Sequence, residues 1–173
     1  MCENRENFSK WFKDPLTTLY KDINAGFIIV MVSLPLLERY LREKSGDCEA
    51  LRLTNEFYKE LIKIFPGLKD ISIAKRFWKV YRHGLLHQAT LKTDDGTTTL
   101  IAVGVHNEAP EIQHSTNFNG DTFMVSPIKF SKKIISTIEN EFKIFEGPNS
   151  PIHPPATVDG TKGYSGWGGS KTS

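Results

Sequence analysis

The sequence predicts a mainly α-helical bundle, with a small β-hairpin or sheet inserted before its last helix and a disordered C-terminal tail. Three observations lead there. Apolar residues recur at helical spacing through residues 14–87 and again through 126–146. Between these blocks, at about 90–125, the pattern turns to short alternating runs separated by Asp-Gly and Asn-Gly signals. After Gly147 the composition passes to Pro, Gly, Ser and Thr with no periodic apolar face. The expected organisation is therefore one helical domain over 1–146 and a flexible tail over 147–173.

Composition narrows the function classes. The chain has 173 residues, 39% of them hydrophobic and 24% charged, which suits an ordinary globular core and excludes wholesale disorder or a fibrous rod. Lys and Arg number 22 against 20 Asp and Glu, a net charge of +2. A chain so balanced does not coat nucleic acid by bulk charge, so any such contact must come from a local patch. Two cysteines, Cys2 and Cys48, make no disulfide framework and point to a reducing, cytoplasmic setting. The stretch Ala25–Leu37 is almost wholly apolar but far short of the ~20 residues that span a bilayer. Asp22, Asn24, Glu38 and Arg39 bound it, so a buried core helix is expected and no membrane span.

The elements follow in order. Asp14-Pro15 reads as a helix start, Ser45-Gly46 as the stop, and Pro35 as a kink between them. A second helix is expected from about Asp47 to Phe65, ended by Pro66-Gly67. Asp70 caps a third, with Ile73, Phe77, Tyr81 and Leu85 at four-residue steps, running to about His87. Residues 90–93 and 97–105 around Asp94-Asp95-Gly96 read as one hairpin, and 111–116 with 122–125 as a second. Ser126-Pro127 opens the last helix, whose buried face is Ile134, Ile135, Ile138, Phe142 and Phe145. In the tail, Pro148, Pro151 and Pro154 stand at polyproline II spacing, and Tyr164 and Trp167 sit among glycines.

The third helix carries the chemistry. At about 100° per residue, Ile73, Phe77, Val80, Tyr81 and Gly84 face the core, while Lys75, Arg76, Lys79, Arg82, His83 and His87 face away. His83 and His87, one turn apart, have a spacing that suits zinc, but no third ligand and no glutamate after His83 supports a metal centre, and none is expected. Arg82 and His87 suit phosphoryl chemistry without a metal. An imidazole can take or give a proton near neutral pH, and a guanidinium binds phosphate oxygens in a fork. On an ideal helix the two point about 140° apart, so two copies related by a two-fold axis are needed to bring such groups together. The ordinary alternative pairs Arg82 with a carboxylate and leaves His87 complementing the helix dipole.

The run Tyr81-Arg82-His83-Gly84-Leu85-Leu86-His87 resembles the signature of the HEPN superfamily, an arginine, a polar residue and a histidine after a spacer of four to six residues. The setting is similar too: a long early helix with Leu34-Pro35-Leu36-Leu37-Glu38-Arg39-Tyr40-Leu41, a second amphipathic helix, then the motif on a third. The resemblance covers residues 15–90 and extends to the last helix. It implies a compact helical bundle and a metal-independent endoribonuclease, a hydrolase of toxin, defence or RNA-processing systems, that acts as a homodimer and needs no cofactor. Carried over, His87 is the acid–base residue, Arg82 contacts the scissile phosphate and His83 assists. A neutralising protein partner or antitoxin belongs to that picture. Lys75, Arg76 and Lys79 lie outside the family motif and are expected, from the helix face alone, to track the RNA backbone. The β-rich stretch of about 35 residues after the motif departs from the all-helical HEPN core. The alternative is a non-catalytic module of the same build that binds a nucleotide, RNA or a protein.

Overall fold

The computed structural model describes residues 2–47, 52–85, 101–103, 110–117 and 120–146. The chain begins in helix earlier than Asp14: α1 spans Cys2–Phe8, a π-wound turn spans Ser9–Lys13, and α2 spans Asp14–Leu19. The polypeptide then breaks at Asp22, whose side chain accepts from the Asn24 amide at 2.8 Å. Helix α3, Gly26–Ser45, follows. It runs unbroken through Pro35, whose ring lies on the exposed side, where losing one backbone bond is tolerated. It stops as the sequence predicts, because Gly46 takes φ 75° and lets the Asp47 amide reach the Arg42 carbonyl at 2.9 Å.

Helix α4, Asn55–Ile64, starts later than expected. Asp47 does not cap it in place; its carboxylate accepts from the Thr54 hydroxyl at 2.7 Å and the Thr54 amide at 3.2 Å, tying the end of α3 to the start of α4. Helix α5, Ile71–Trp78, is capped as predicted: Asp70 accepts from the Ile73 amide at 3.0 Å. A π-wound segment continues it over Lys79–Leu85.

The β part is a three-stranded sheet in the order β1-β3-β2. Strands β2, Ile112–Asn117, and β3, Gly120–Val125, form the expected antiparallel pair, with Ile112 opposite Val125 and Asn117 opposite Gly120. Strand β1, Ile101–Val103, runs parallel to β3. The other arm of the first expected hairpin, residues 90–93, lies outside the described residues, as do Cys48 and the tail from 147. Helix α6, Pro127–Asn140, closes the fold and continues into a 3₁₀ turn, Phe142–Phe145.

One core joins all of this. Helix α3 lies along α6, where Ser33 donates to Ser131 at 2.8 Å, Ser131 meets the Tyr20 hydroxyl at 2.8 Å, and Tyr40 donates to Glu141 at 3.0 Å. By length and composition the helix over Ile23–Ser45 is apolar enough to cross a membrane, but Ile29, Val30, Leu34, Leu37 and Leu41 are core residues of this bundle. Phe77 of α5 packs on Tyr81, Phe123 of β3 and Phe130 of α6 at centroid distances of 4.5, 5.7 and 6.4 Å.

Two outcomes follow from this packing. Phe77→Ala leaves a cavity where three elements meet and should cost about 3–5 kcal/mol, read as a lower urea midpoint at unchanged m-value. The Asp47 carboxyl sits below its ordinary range, chiefly through the Thr54 hydroxyl bond. Its contribution is therefore present above about pH 4 and is lost as pH falls through its folded pKa. Acid unfolding followed by circular dichroism should be less steep over that window in Thr54→Ala than in the parent.

Candidate functional site

The motif helix is oriented by its core side. Ala74, Phe77, Trp78, Val80 and Tyr81 are buried, and this seat turns Lys75, Arg76 and Lys79 outward to solvent. Tyr81, directly before Arg82, is fully buried, and burial pushes its phenol pKa upward.

Arg82 is about one-third exposed and does not face open solvent. Its Nε donates to Glu38 Oε2 at 3.0 Å, and its Nη2 lies 3.5 Å from Glu38 Oε1. Glu38 is 14% exposed and holds a second guanidinium: Arg42 Nε and Nη2 both stand 3.0 Å from Oε1. Arg42 in turn donates to the Asp47 carbonyl at 3.1 Å. One carboxylate thus stands between two guanidiniums, and the Asp47 carboxylate also acts on Arg42. Glu38 belongs to α3 and Arg82 to the extension of α5, 44 residues apart in the chain, so helical spacing within α5 gives no sign of this partner.

The basic face divides into two flanks. Lys75 lies over the ring of Tyr58 on α4, its Nζ 5.5 Å from the centroid, and Tyr58 feels the charge of Glu38. Arg76 turns the other way and acts electrostatically on His114 of β2. Arg76, Lys79 and Arg82 follow at three-residue steps, a diagonal across the outer face. The expected track Lys75, Arg76 and Lys79 is thus one in which Lys75 stands apart.

The winding of the motif differs from the ideal helix that the spacing arithmetic assumes. From Lys79 to Leu85 the backbone is π-helical, so a hydrogen-bonded turn closes every five residues rather than four. Arg82 and His87 are five residues apart. The described winding ends at Leu85; the His83 side chain and all of His87 lie outside the described residues, so their distances to Arg82 are not part of this geometry. Among the described residues no group of three or more His, Cys, Asp or Glu is placed to hold a metal.

Comparison with protein-family models, with curated proteins and with solved structures found no match.

The Glu38 clamp makes a direct prediction. Glu38→Gln leaves two guanidiniums facing each other and should cost about 1–2 kcal/mol, between the values for exposed and buried pairs. A double-mutant cycle with Arg82→Gln, read by chemical denaturation, should show that the two changes are not additive.

Proposed function

We propose that the chain is a HEPN-type, metal-independent endoribonuclease that works as a homodimer, and that Arg82 binds the phosphate under attack. The observation that supports this most is the way Arg82 is held. Its Nε edge is anchored to a carboxylate on another helix, at the edge of an outward basic face, within the π-wound segment Lys79–Leu85. A phosphate-binding arginine works best when its plane is fixed before the substrate arrives.

In this proposal His87 moves the proton of the attacking 2′-hydroxyl or of the leaving 5′-oxygen, and His83 assists it. RNA cleavage then needs no cofactor. Lys79 and Arg76 extend the contact along the strand by phosphate pairing, which positions but does not select sequence. The second copy would sit on the outer stripe of α3. Ile28 is 51% exposed, Pro35 is exposed and Met31 lies between them, at the three- and four-residue steps that lead along one face to Glu38. A copy seated there lies beside the Arg82 cluster, where a second motif is useful.

The ion pair itself favours a second reading: Arg82 holds α5 against α3, and the chain is a non-catalytic module that binds RNA, a nucleotide or a protein. The two differ in one assay. Purified protein with single-stranded RNA in EDTA should yield cleavage products that His87→Ala abolishes while its dimer, sized by light scattering, persists. Ile28→Glu should produce monomer and lose cleavage together. Cleavage by His87→Ala at the parent rate overturns the enzyme reading, and RNA binding without cleavage favours the module.

A further inference from the structure

A cleft of about 240 Å³ opens beside the N-terminal end of α5, away from the Glu38 cluster. Phe65, Pro66 and Gly67 form one wall and Ile112 the other, with Lys69 and His114 at the edge. Its volume is below that of a drug-sized pocket and suits one nucleotide base or a comparably small group. The walls stand close because residue 67 is glycine: a Cβ there would lie 2.6 Å from the Ile112 carbonyl oxygen.

Lys69 is the unusual member. It has φ 57° and ψ −57°, and the amide of Asp70 reaches back to the Leu68 carbonyl at 2.6 Å. That is a γ-turn of the positive-φ kind, rare and strained for any residue except glycine. Strain of this sort gathers at ligand sites. The side chain that bears it is an exposed ammonium on the cleft. His114 stacks on Phe123 at 4.9 Å, and its pKa is held below the ordinary value first by desolvation and then by the charges of Lys69 and Arg76, with Asp70 acting in the opposite sense. Lys69 lines the cleft beside this partly buried imidazole, whereas Arg76 acts on it from α5 and is not part of the lining. Glu111 also borders the cleft and disfavours a bare anion, but a carboxylate can accept from the exocyclic amine of a base.

We propose that this cleft is a nucleotide subsite, in which Lys69 and Arg76 hold a phosphate while the base lies against the apolar walls and His114. Its occupant, a link of a single-stranded RNA, rests on the function proposed above. Arg76 is six residues before Arg82, at most about 9 Å along the helix axis, so one strand can reach both by way of Lys79.

The test is binding of a labelled 2′-O-methyl oligocytidylate, which cannot be cut by 2′-hydroxyl attack, to the full chain by fluorescence anisotropy over a range of salt. Lys69→Gly should raise the melting temperature, because strain is relieved, yet weaken binding about tenfold and reduce the slope of log K against log salt by about 0.7. Arg76→Gln should lower affinity and slope similarly without raising the melting temperature. Cytidine 5′-monophosphate should shift the His114 ring resonances and raise its pKa. Unchanged affinity and slope in both variants overturn the subsite. Binding of cytidine 5′-monophosphate or inorganic phosphate without binding of the strand overturns RNA as its occupant. Loss of strand binding in the variants of a protein that cuts no RNA supports the subsite and counts only against the enzyme reading.

Discussion

Phe77 meets three rings from three parts of the chain: Tyr81 one turn along its own helix, Phe123 in the sheet, and Phe130 at the start of the last helix. Aromatic rings packed at such distances gain from geometry as well as from burial. The contact fixes the rotation of α5 about its axis, and the Asp70 cap fixes where the helix begins. Everything polar on that helix depends on this phase. Neighbouring residues on a helix point about 100° apart, so a turn by one position would send Arg76 toward α4 and take it away from the sheet. The two flanks of the basic face, one on Tyr58 and one on His114, exist because the aromatic side is seated so firmly.

The Glu38 cluster balances two demands. A lone guanidinium in a half-buried place is costly, and a carboxylate there lowers the cost. A carboxylate bound to one arginine alone would also neutralise it as a phosphate ligand. Glu38 serves Arg82 and Arg42 together, and the Asp47 carboxylate adds a second negative charge near Arg42. The same arrangement ties the extension of α5 to α3.

Much of the fold was legible because its signals are local. Gly46 ends α3, Asp70 starts α5, Ser126-Pro127 starts α6, and strands β2 and β3 pair about as their alternation suggests. What escaped depends on contacts between distant residues or on backbone states without a composition signature. The late start of α4 follows from Asp47 reaching forward to Thr54, where a capping residue and an ordinary helix start look alike in sequence. The π-winding of Lys79–Leu85 invalidates wheel arithmetic at 100° per residue and leaves no mark in hydrophobic periodicity. The Glu38 partner of Arg82 sits on another helix. Lys69 escaped because a lysine before an aspartate looks like ordinary surface, and only the backbone angles show that it occupies a position suited to glycine.

Helix α3 is apolar on more than one side. Its apolar stretch serves two surfaces. Ile29, Leu34, Leu37 and Leu41 fill the core, whereas Ile28 and Pro35 stay outside. A membrane helix also shows apolar residues all round, but the polar joint of Ser33 with Ser131 and Tyr20 places a partner protein helix along one side of α3. An outer stripe that is apolar at its start and ends at a charged cluster is suited to a partner that is itself a folded surface. Apolar contact would supply the association and the charges its register, since unpaired like charges in a wrong alignment are costly. In the proposed homodimer a symmetric copy would satisfy both conditions at once, because the stripe and the cluster's Glu38 and Arg42 are carried by the same helix.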